Sequence, residues 1–383
     1  MLRWDIFCKV IDNFGDIGVS WRLARQLSFE YGQNVRLWVD DLAALAALEP
    51  QTDISLEMQD IQGITIMHWS KDFDWATVTV ADVVIEAFAC ALPAPYLNAI
   101  VVRKALTGDA PYWINLEYLT AEAWADGCHL MTSPQSGALS KVFFFPGFSE
   151  KTGGLLRERD LLIQRDALNK QKKWSELTGF DWVDHGLKIT LFGYQRMPLV
   201  KWLPCLVAAD QPIQLAVTSG QAAVALQNAW QRLGYAENGV QGALSVRFLP
   251  MLAQKDFDAL LWSSDLNCVR GEDSWIRAIW AAVPFVWHIY EQDDGVHMDK
   301  LEAFITRYCE FFQNPQASDA WANWQRFWNG DERLDAAMTW IAFMCEWPLI
   351  QSHARQQSNT YAQIEGLAQQ LARHCGVSVQ KSL

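Results

Sequence analysis

The chain has 383 residues, of which 51% are hydrophobic, and a formal net charge of −13. This length suits two α/β domains better than one core, and the acidic balance argues against nucleic acid as main partner, because displacing counterions needs basic patches. The apolar runs are too short to span a membrane, and no secretory signal opens the sequence, so we predict a cytoplasmic protein without a membrane partner.

The first part of the chain alternates short apolar strands with helical patterns. A helix is predicted over Val19–Glu30. The predicted strands are Trp4–Val10, Val35–Val39, Ile64–His68, Asp82–Glu86 and Tyr112–Leu116. Such alternation predicts a parallel sheet covered by helices on both faces.

A polar stretch, residues 150–173, interrupts this rhythm, and the alternation then starts again. The later predicted strands are Leu187–Phe192, Ile213–Val217, Leu244–Phe248, Leu266–Val269 and Phe285–His288, followed by a helical C-terminal part. We predict two doubly wound, Rossmann-like domains that face each other across a cleft. Residues 1–170 form the first domain, on the acceptor side, which a C-terminal helix from about 350 to 383 joins. Residues 171–349 form the second domain, which binds a nucleotide-sugar donor.

The loop after the first strand contains two carboxylates, Asp12 and Asp16, and two glycines, Gly15 and Gly18. The glycines let the backbone turn tightly and approach a ligand closely. Because carboxylates repel phosphate, we expect this loop to supply a general base or to grip a cationic acceptor. The structural alternative is that Asp16 caps the following helix and Asp12 forms a turn.

A second polar turn follows the strand that leads to Arg270. Asp273 and Ser274 are predicted N-cap residues of an amphipathic helix, whose first N–H groups form an anion site. Arg270 is expected to bind diphosphate oxygens in a forked geometry, and Glu272 to hold ribose or sugar hydroxyls. The alternative is a structural ion pair of Arg270 with Glu272 or Asp273.

Aromatic residues near this turn predict a pocket for a pyrimidine base. Phe192 and Tyr194 end the first strand of the second domain, and Phe257 precedes the turn. Stacked rings would hold the base, although Phe192 and Phe257 fit a buried core almost as well. A Pro-led strand and a polar loop with Tyr290 follow, and this order is typical of sugar-nucleotide sites.

Other residues predict no metal site and no cofactor. The eight cysteines include no C-x-x-C pair, and the seven histidines are dispersed. This pattern indicates reduced thiols rather than a disulfide framework or a zinc site. Among the 20 tryptophans, Trp321, Trp324 and Trp328 recur at helical spacing, which we interpret as an interface stripe.

Long strings of the sequence resemble the EarP family of protein-arginine rhamnosyltransferases that act on elongation factor P. The strings are residues 5–27, 144–158, 269–278 and 284–290. The resemblance implies an α/β GT-B glycosyltransferase fold, dTDP-β-L-rhamnose as donor, an arginine of elongation factor P as acceptor, and inversion without metal.

The resemblance also implies roles for individual residues. Asp16 is the expected general base, with Asp12 beside it and Glu272 as a further catalytic carboxylate. The implied donor contacts are Phe192, Tyr194, Phe257, Arg270, Glu272, Asp273, Ser274 and Tyr290.

The residues by themselves leave other functions open. The chain could be a GT-B transferase with another donor or acceptor. It could also be an oxidoreductase on a Rossmann scaffold, which the missing G-x-G-x-x-G fingerprint disfavours. A non-catalytic nucleotide-binding module is disfavoured by two carboxylates expected opposite a donor turn.

Overall fold

The computed structural model describes residues 1–11, 14–292 and 295–378. The chain divides into two compact units, of which the first combines Met1–Arg159 with the segment from Tyr361 onward and the second comprises Asp160–Thr360. Among the described residues, no helix combines the length and the apolarity that crossing a lipid bilayer requires.

The first unit is built on a mostly parallel sheet. Its strands are β1 (Arg3–Cys8), β2 (Asn34–Val39), β3 (Met58–Ile61), β4 (Ile64–His68), β5 (Val83–Ala87), β6 (Tyr112–Leu116), β7 (Thr132–Gln135) and β8 (Leu139–Phe144). Its first helices are α1 (Gly15–Tyr31), α2 (Leu42–Leu48), α3 (Ala94–Thr107) and α4 (Ala125–Cys128), with 3₁₀ turns at Trp75–Thr77 and Ser136–Ala138. The strand order is β3-β4-β2-β1-β5-β6-β8-β7, with β3 and β7 antiparallel at the two edges.

The second unit repeats this architecture. Its strands are β9 (Leu187–Leu191), β10 (Ile213–Val217), β11 (Val240–Gln241), β12 (Leu244–Phe248), β13 (Leu266–Arg270) and β14 (Phe285–His288), in the order β11-β12-β10-β9-β13-β14. Its helices are α5 (Leu161–Ala167), α6 (Lys170–Thr178), α7 (Leu199–Val207), α8 (Gln221–Arg232), α9 (Gln254–Ser263), α10 (Asp273–Ala281), α11 (Val296–Cys309), α12 (Pro315–Trp328), α13 (Ala336–Cys345) and α14 (Trp347–Ala362). A last helix, α15 (Leu367–His374), belongs to the first unit and packs on α1.

Burial on both faces explains why the central strands are so apolar. Every residue of β9, β10 and β13 is buried, as is all of β1 except Arg3. Parallel strands covered by helices on both sides read as continuous apolar runs, which made them recognisable in the sequence. The strands missed by the prediction are β3, β7, β8 and β11, which are short or partly exposed.

The three tryptophans of α12 form core rather than an interface stripe, so that prediction is wrong. Trp321, Trp324 and Trp328 are all 0% exposed. The Trp202 ring of α7 lies 5.8 Å from the Trp324 ring and 5.0 Å from the Trp328 ring. Because one face of α12 packs on its own unit, these side chains contribute to folding and are not available to a partner.

The unit boundaries differ from the predicted ones at 170/171 and 349/350. α5 belongs to the second unit because Arg165 Nη1 donates to the Trp280 carbonyl of α10 at 2.8 Å. The first part of α14 belongs there too, since His353 Nε2 lies 2.8 Å from the Tyr308 carbonyl of α11. Such contacts join residues far apart in sequence, and no local pattern indicates them.

Candidate active site

The loop after β1 places Asp16 at the start of α1. Phe14 occupies the N-cap position without a side-chain cap, and Asp16 is the second residue of the helix. The Asp16 carboxylate is 2% exposed, and its Oδ2 accepts a hydrogen bond from the Ile11 N–H at 2.8 Å. Asp16 therefore closes the loop instead of occupying the cap position. Asp12 lies outside the described residues.

A strained loop after β5 adjoins this region. Phe88, Ala89 and Ala91 have φ of 57°, 53° and 55°, in the left-handed region that residues with a Cβ rarely adopt. The Cys90 thiol donates to the Phe7 carbonyl of β1 at 3.2 Å, so it holds this loop beside the end of β1. The sequence prediction did not include this loop, because only the fold brings it next to β1.

The thiols of Cys8 in β1 and of Cys90 in the adjoining loop are poor nucleophiles. Burial is the main cause that raises the pKa of Cys8 well above its ordinary value, and Asp16 adds to the effect. Burial likewise raises the pKa of Cys90 to about 12. Both thiols remain protonated at neutral pH, so a carboxylate is the better proton acceptor at this edge of the sheet.

In the second unit, β13 ends in a tight turn before α10. Gly271 has φ of 61°, and Glu272 occupies the N-cap position without capping the helix through its side chain. The predicted N-caps are therefore wrong: Asp273 and Ser274 are the first residues inside the helix. The Ser274 hydroxyl accepts from the Arg270 N–H at 3.1 Å and donates to the Arg270 carbonyl, which fixes the turn.

The Arg270 side chain lies between two aromatic rings. Its guanidinium carbon is 4.6 Å from the Phe192 ring centre and 4.7 Å from the Tyr194 ring centre. Arg270 is 7% exposed, and cation–π contacts of a desolvated guanidinium are the stronger ones. β9, β13 and β14 are neighbours in the sheet, which explains how residues from separate strands meet at one edge.

The other predicted aromatic residues join the same group. The Phe257 ring of α9 packs edge-on against Phe192 with centroids 5.3 Å apart. The Tyr290 ring, 53% exposed, packs edge-on against Tyr194 at 5.5 Å. The four rings thus form two pairs, each with one ring against Arg270, and we call these four residues the aromatic row.

A model of the family described as "Elongation-Factor P (EF-P) rhamnosyltransferase EarP" matches residues 4–376. The chain is 47% identical to a protein-arginine rhamnosyltransferase of Pseudomonas putida over 92% of this chain and 93% of that protein.

The chain belongs to the EarP family.

Solved structures agree with this assignment. One, described as the structural basis for EarP-mediated arginine glycosylation of translation elongation factor EF-P, matches with a TM-score of 0.66 and 35% identity, over 97% of this chain and 98% of that one. The spinosyn rhamnosyltransferase SpnG matches with a TM-score of 0.50 over 98% of this chain and 100% of that one, but at 9% identity it shows the fold alone. The predictions of the family, of an α/β GT-B fold and of a glycosyltransferase enzyme are confirmed.

In this EarP family member, His288 at the end of β14 is a further residue beside the aromatic row. Its Nδ1 accepts from the Tyr194 N–H at 3.1 Å, so it sets the position of one ring beside Arg270. Burial, followed by the Arg270 charge, lowers the pKa of His288 to about 3. The imidazole is therefore neutral at neutral pH, and its role here is to orient Tyr194.

We expect His288 to make stability pH-dependent. An unfolded histidine has a pKa near 6.5, so the unfolded state binds a proton that folded His288 does not. The contribution of neutral His288 to the free energy of unfolding is fully present above about pH 6.5. It is lost as the pH falls towards 3, at about 1.4 kcal/mol per pH unit. His288→Asn should show a shallower fall of the free energy of unfolding between these pH values, measured by denaturant titration. The exposed His185→Asn is the control, and equal slopes in the two variants would contradict the expectation.

Behind the aromatic row, a buried ion pair joins α9 to α10. Arg277 Nε and Nη2 donate to the two Asp258 oxygens at 2.9 and 2.8 Å, and the side chains are 1% and 7% exposed. Asp258 is adjacent to Phe257, and α10 begins at the Arg270 turn. The pair therefore fixes α9, which carries Phe257, relative to the turn at Arg270. Neither residue was predicted, because they are 19 positions apart in sequence.

Asp258→Asn is expected to destabilise the protein by about 3–5 kcal/mol, because it removes the carboxylate charge that pairs with the buried Arg277 guanidinium. Asp256→Asn is the matched control on the same helix: Asp256 is 3.4 Å from Lys173, with side chains 33% and 28% exposed. Such a surface pair contributes at most about 1 kcal/mol. Denaturant unfolding of both variants tests this, and similar losses would show that the Arg277 pair is not the stronger one.

In the ranges that the structure describes, no group of three or more histidine, cysteine or acidic residues has a metal-binding arrangement.

Proposed function

We propose that this chain transfers L-rhamnose from dTDP-β-L-rhamnose to an arginine side chain of elongation factor P, with inversion at the sugar. The observation that carries the proposal is the Arg270 guanidinium between Phe192 and Tyr194 at the end of β13. The names of the relatives support the rhamnosyl and arginine parts.

Arg270 and α10 suit a diphosphate. Arg270 offers a planar fork of N–H donors, and the first N–H groups of α10 add the positive end of a helix dipole. Together they would stabilise the charge that develops on the leaving dTDP, which is the contribution a metal ion would otherwise make. We therefore propose that transfer needs no metal and no cofactor.

The aromatic row would hold the base and the sugar. A thymine ring stacks on aromatic faces such as Phe192, Phe257 and Tyr194. Glu272, half-buried at the N-cap position of α10, makes no side-chain cap bond and is proposed to bind ribose or rhamnose hydroxyls. Asp273, Ser274 and Tyr290 complete the donor contacts.

Asp16 is proposed as the base, with Asp12 as the second carboxylate that grips the guanidinium. The arginine nitrogen forms a bond to the anomeric carbon while the bond from that carbon to the diphosphate oxygen breaks. The proton leaves the nitrogen for the Asp16 carboxylate, and dTDP departs with the bonding electron pair. Inversion requires the nitrogen to approach from the side opposite the diphosphate. Gly15 and Gly18 lie in the first turn of α1 rather than in the loop, and their lack of side chains would let the acceptor approach the helix backbone there.

The partners would then be elongation factor P and dTDP-L-rhamnose, in the cytoplasm where translation factors act, without a nucleic acid or membrane partner. The acidic charge of −13 suits an acceptor that presents a cationic side chain.

Titration of tryptophan fluorescence tests the donor. We expect dTDP to change the emission in the presence of EDTA, because Trp275 and Trp287 stack at 3.7 Å next to the donor turn. UDP should bind more weakly and NAD not at all. Binding that disappears in EDTA and returns with magnesium would contradict the metal-free proposal, and preferential NAD binding would favour an oxidoreductase.

A further inference from the structure

A small polar cavity of ≈ 240 Å³ lies in the second unit at the C-terminal end of α10. Arg165 and Asp166 of α5, Lys170 of α6 and Arg355 of α14 line it, together with the turn at 281–283. It is distinct from the donor turn, which lies at the N-terminal end of the same helix. Three cations around one small cavity are unusual in a chain with a net charge of −13.

Arg165 is the fixed part of this cluster. It is 8% exposed, its Nε donates to Asp166 Oδ1 at 2.8 Å, and its Nη1 donates to the Trp280 carbonyl at 2.8 Å and the Ser358 hydroxyl at 3.1 Å. An arginine has five N–H donors, and these three bonds do not use the two on Nη2. The guanidinium is therefore held rigidly with donor capacity left.

The other two cations lack a close carboxylate. Within the described ranges, neither Lys170 nor Arg355 forms a side-chain hydrogen bond or an ion pair. Partial desolvation is the main cause that lowers the pKa of Lys170, and the charges of Arg355 and Arg165 add to it against Asp265 and Asp166. Asp265 is itself 3.6 Å from Lys188. Asp265, shared with Lys188, and Asp166 therefore oppose the repulsion between the three cations.

Capping of α10 explains only part of this charge. Cations stabilise a helix C-terminus, whose dipole corresponds to about half a negative charge. Three cations, less Asp166 and that half charge, leave an excess of about +1.5, of which Asp265 offsets a part because Lys188 shares it. Arg165 by itself meets the needs of the helix end, because it binds the Trp280 carbonyl directly.

We propose that this cavity binds a small phosphate-bearing anion through Arg165, Lys170 and Arg355. Phosphate oxygens accept several charge-assisted hydrogen bonds, and guanidinium groups match their geometry. The volume accommodates an anion the size of inorganic phosphate or pyrophosphate. Such an anion would tie α5 to α14, the helices next to the two places where the chain passes between the units.

Calorimetric titration of the full chain with phosphate and with pyrophosphate tests the proposal. We expect binding by the wild type and an affinity about tenfold or more weaker in Lys170→Gln/Arg355→Gln, which loses two charge-assisted contacts. Arg165 is kept because its loss would disturb folding. Lys172→Gln/Arg333→Gln is the control, since both cations are exposed and paired, with Glu176 at 3.7 Å and Asp331 at 2.6 Å.

The variant Arg270→Ala separates this cavity from the donor turn. Binding that persists in Arg270→Ala and weakens in the Lys170/Arg355 variant supports the proposal, whether or not dTDP is the donor nucleotide. Binding lost only in Arg270→Ala would place the anion at the donor turn and overturn the proposal. The absence of wild-type binding would overturn it too. So would a raised KM for elongation factor P in the Lys170/Arg355 variant without any anion binding, which would assign the cluster to an acidic protein partner.

Discussion

Arg270→Ala is expected to bind dTDP at least about 100-fold more weakly than the wild type, because each hydrogen bond from a charged donor contributes about 1.5–3 kcal/mol and two are lost. The geometry makes this loss specific. Arg270 is 7% exposed, the Ser274 hydroxyl fixes its backbone, and two rings pack against its guanidinium, which is therefore ordered before the ligand arrives. A ligand therefore gains these contacts without the entropic cost of ordering a long side chain.

Two further variants test how much of the dTDP affinity depends on the planar guanidinium of Arg270 rather than on its positive charge alone. Arg270→Lys should recover only part of the affinity, since an ammonium lacks the planar fork and stacks less well on Phe192 and Tyr194. Arg247→Ala is the matched control: Arg247 lies over the Phe180 ring at 5.4 Å, a similar contact in the same unit. Fluorescence titration with dTDP measures all three. An unchanged dTDP affinity in Arg270→Ala would contradict donor binding by Arg270 and leave it a structural role only.

The sequence predicted the strands that position the site, and the reason is physical. β1, β9, β10 and β13 are buried on both faces, so most of their residues are apolar and each strand is recognisable in the sequence. β7 (Thr132–Gln135) contains a proline and lies at a sheet edge with no buried residue, so nothing in its composition indicates a strand.

The sequence predicted the separate segments of the site, but it did not predict the contacts between those segments. The turn at Arg270 was evident, because a glycine between a buried strand and an amphipathic helix is a local pattern. That the guanidinium lies between Phe192 and Tyr194, with His288 behind Tyr194, depends on the order β9-β13-β14 in the sheet. Glu272 at the N-cap position was not expected because its side chain is too long to cap as aspartate or serine does.

The second large effect is expected at Asp16. Free arginine has a pKa of about 12.5–13.8 and a carboxylate one near 4, so complete proton transfer before bond formation would cost about 12 kcal/mol. We therefore expect Asp16 not to generate a neutral guanidine in advance. It would polarise the guanidinium and take the proton as the C–N bond forms, because the growing positive charge on the attacking nitrogen makes its proton more acidic.

Asn is the informative replacement for Asp16. Its side-chain oxygen can still accept the Ile11 N–H bond that closes the loop, so the variant removes the negative charge and keeps this contact. General base catalysis contributes about 10²–10⁴-fold to a rate. Asp40→Asn is the matched control, since Asp40 Oδ1 accepts the neighbouring Val10 N–H at 2.9 Å in the same way.

Single-turnover rhamnosylation of elongation factor P by Asp16→Asn, with dTDP affinity measured in parallel, tests the account most directly. We predict that Asp16→Asn binds dTDP like the wild type and transfers rhamnose about 10²–10⁴-fold more slowly, while Asp40→Asn keeps near-normal transfer. Near-normal transfer by Asp16→Asn would contradict the assignment of the base, and Glu272 would be the next carboxylate to replace.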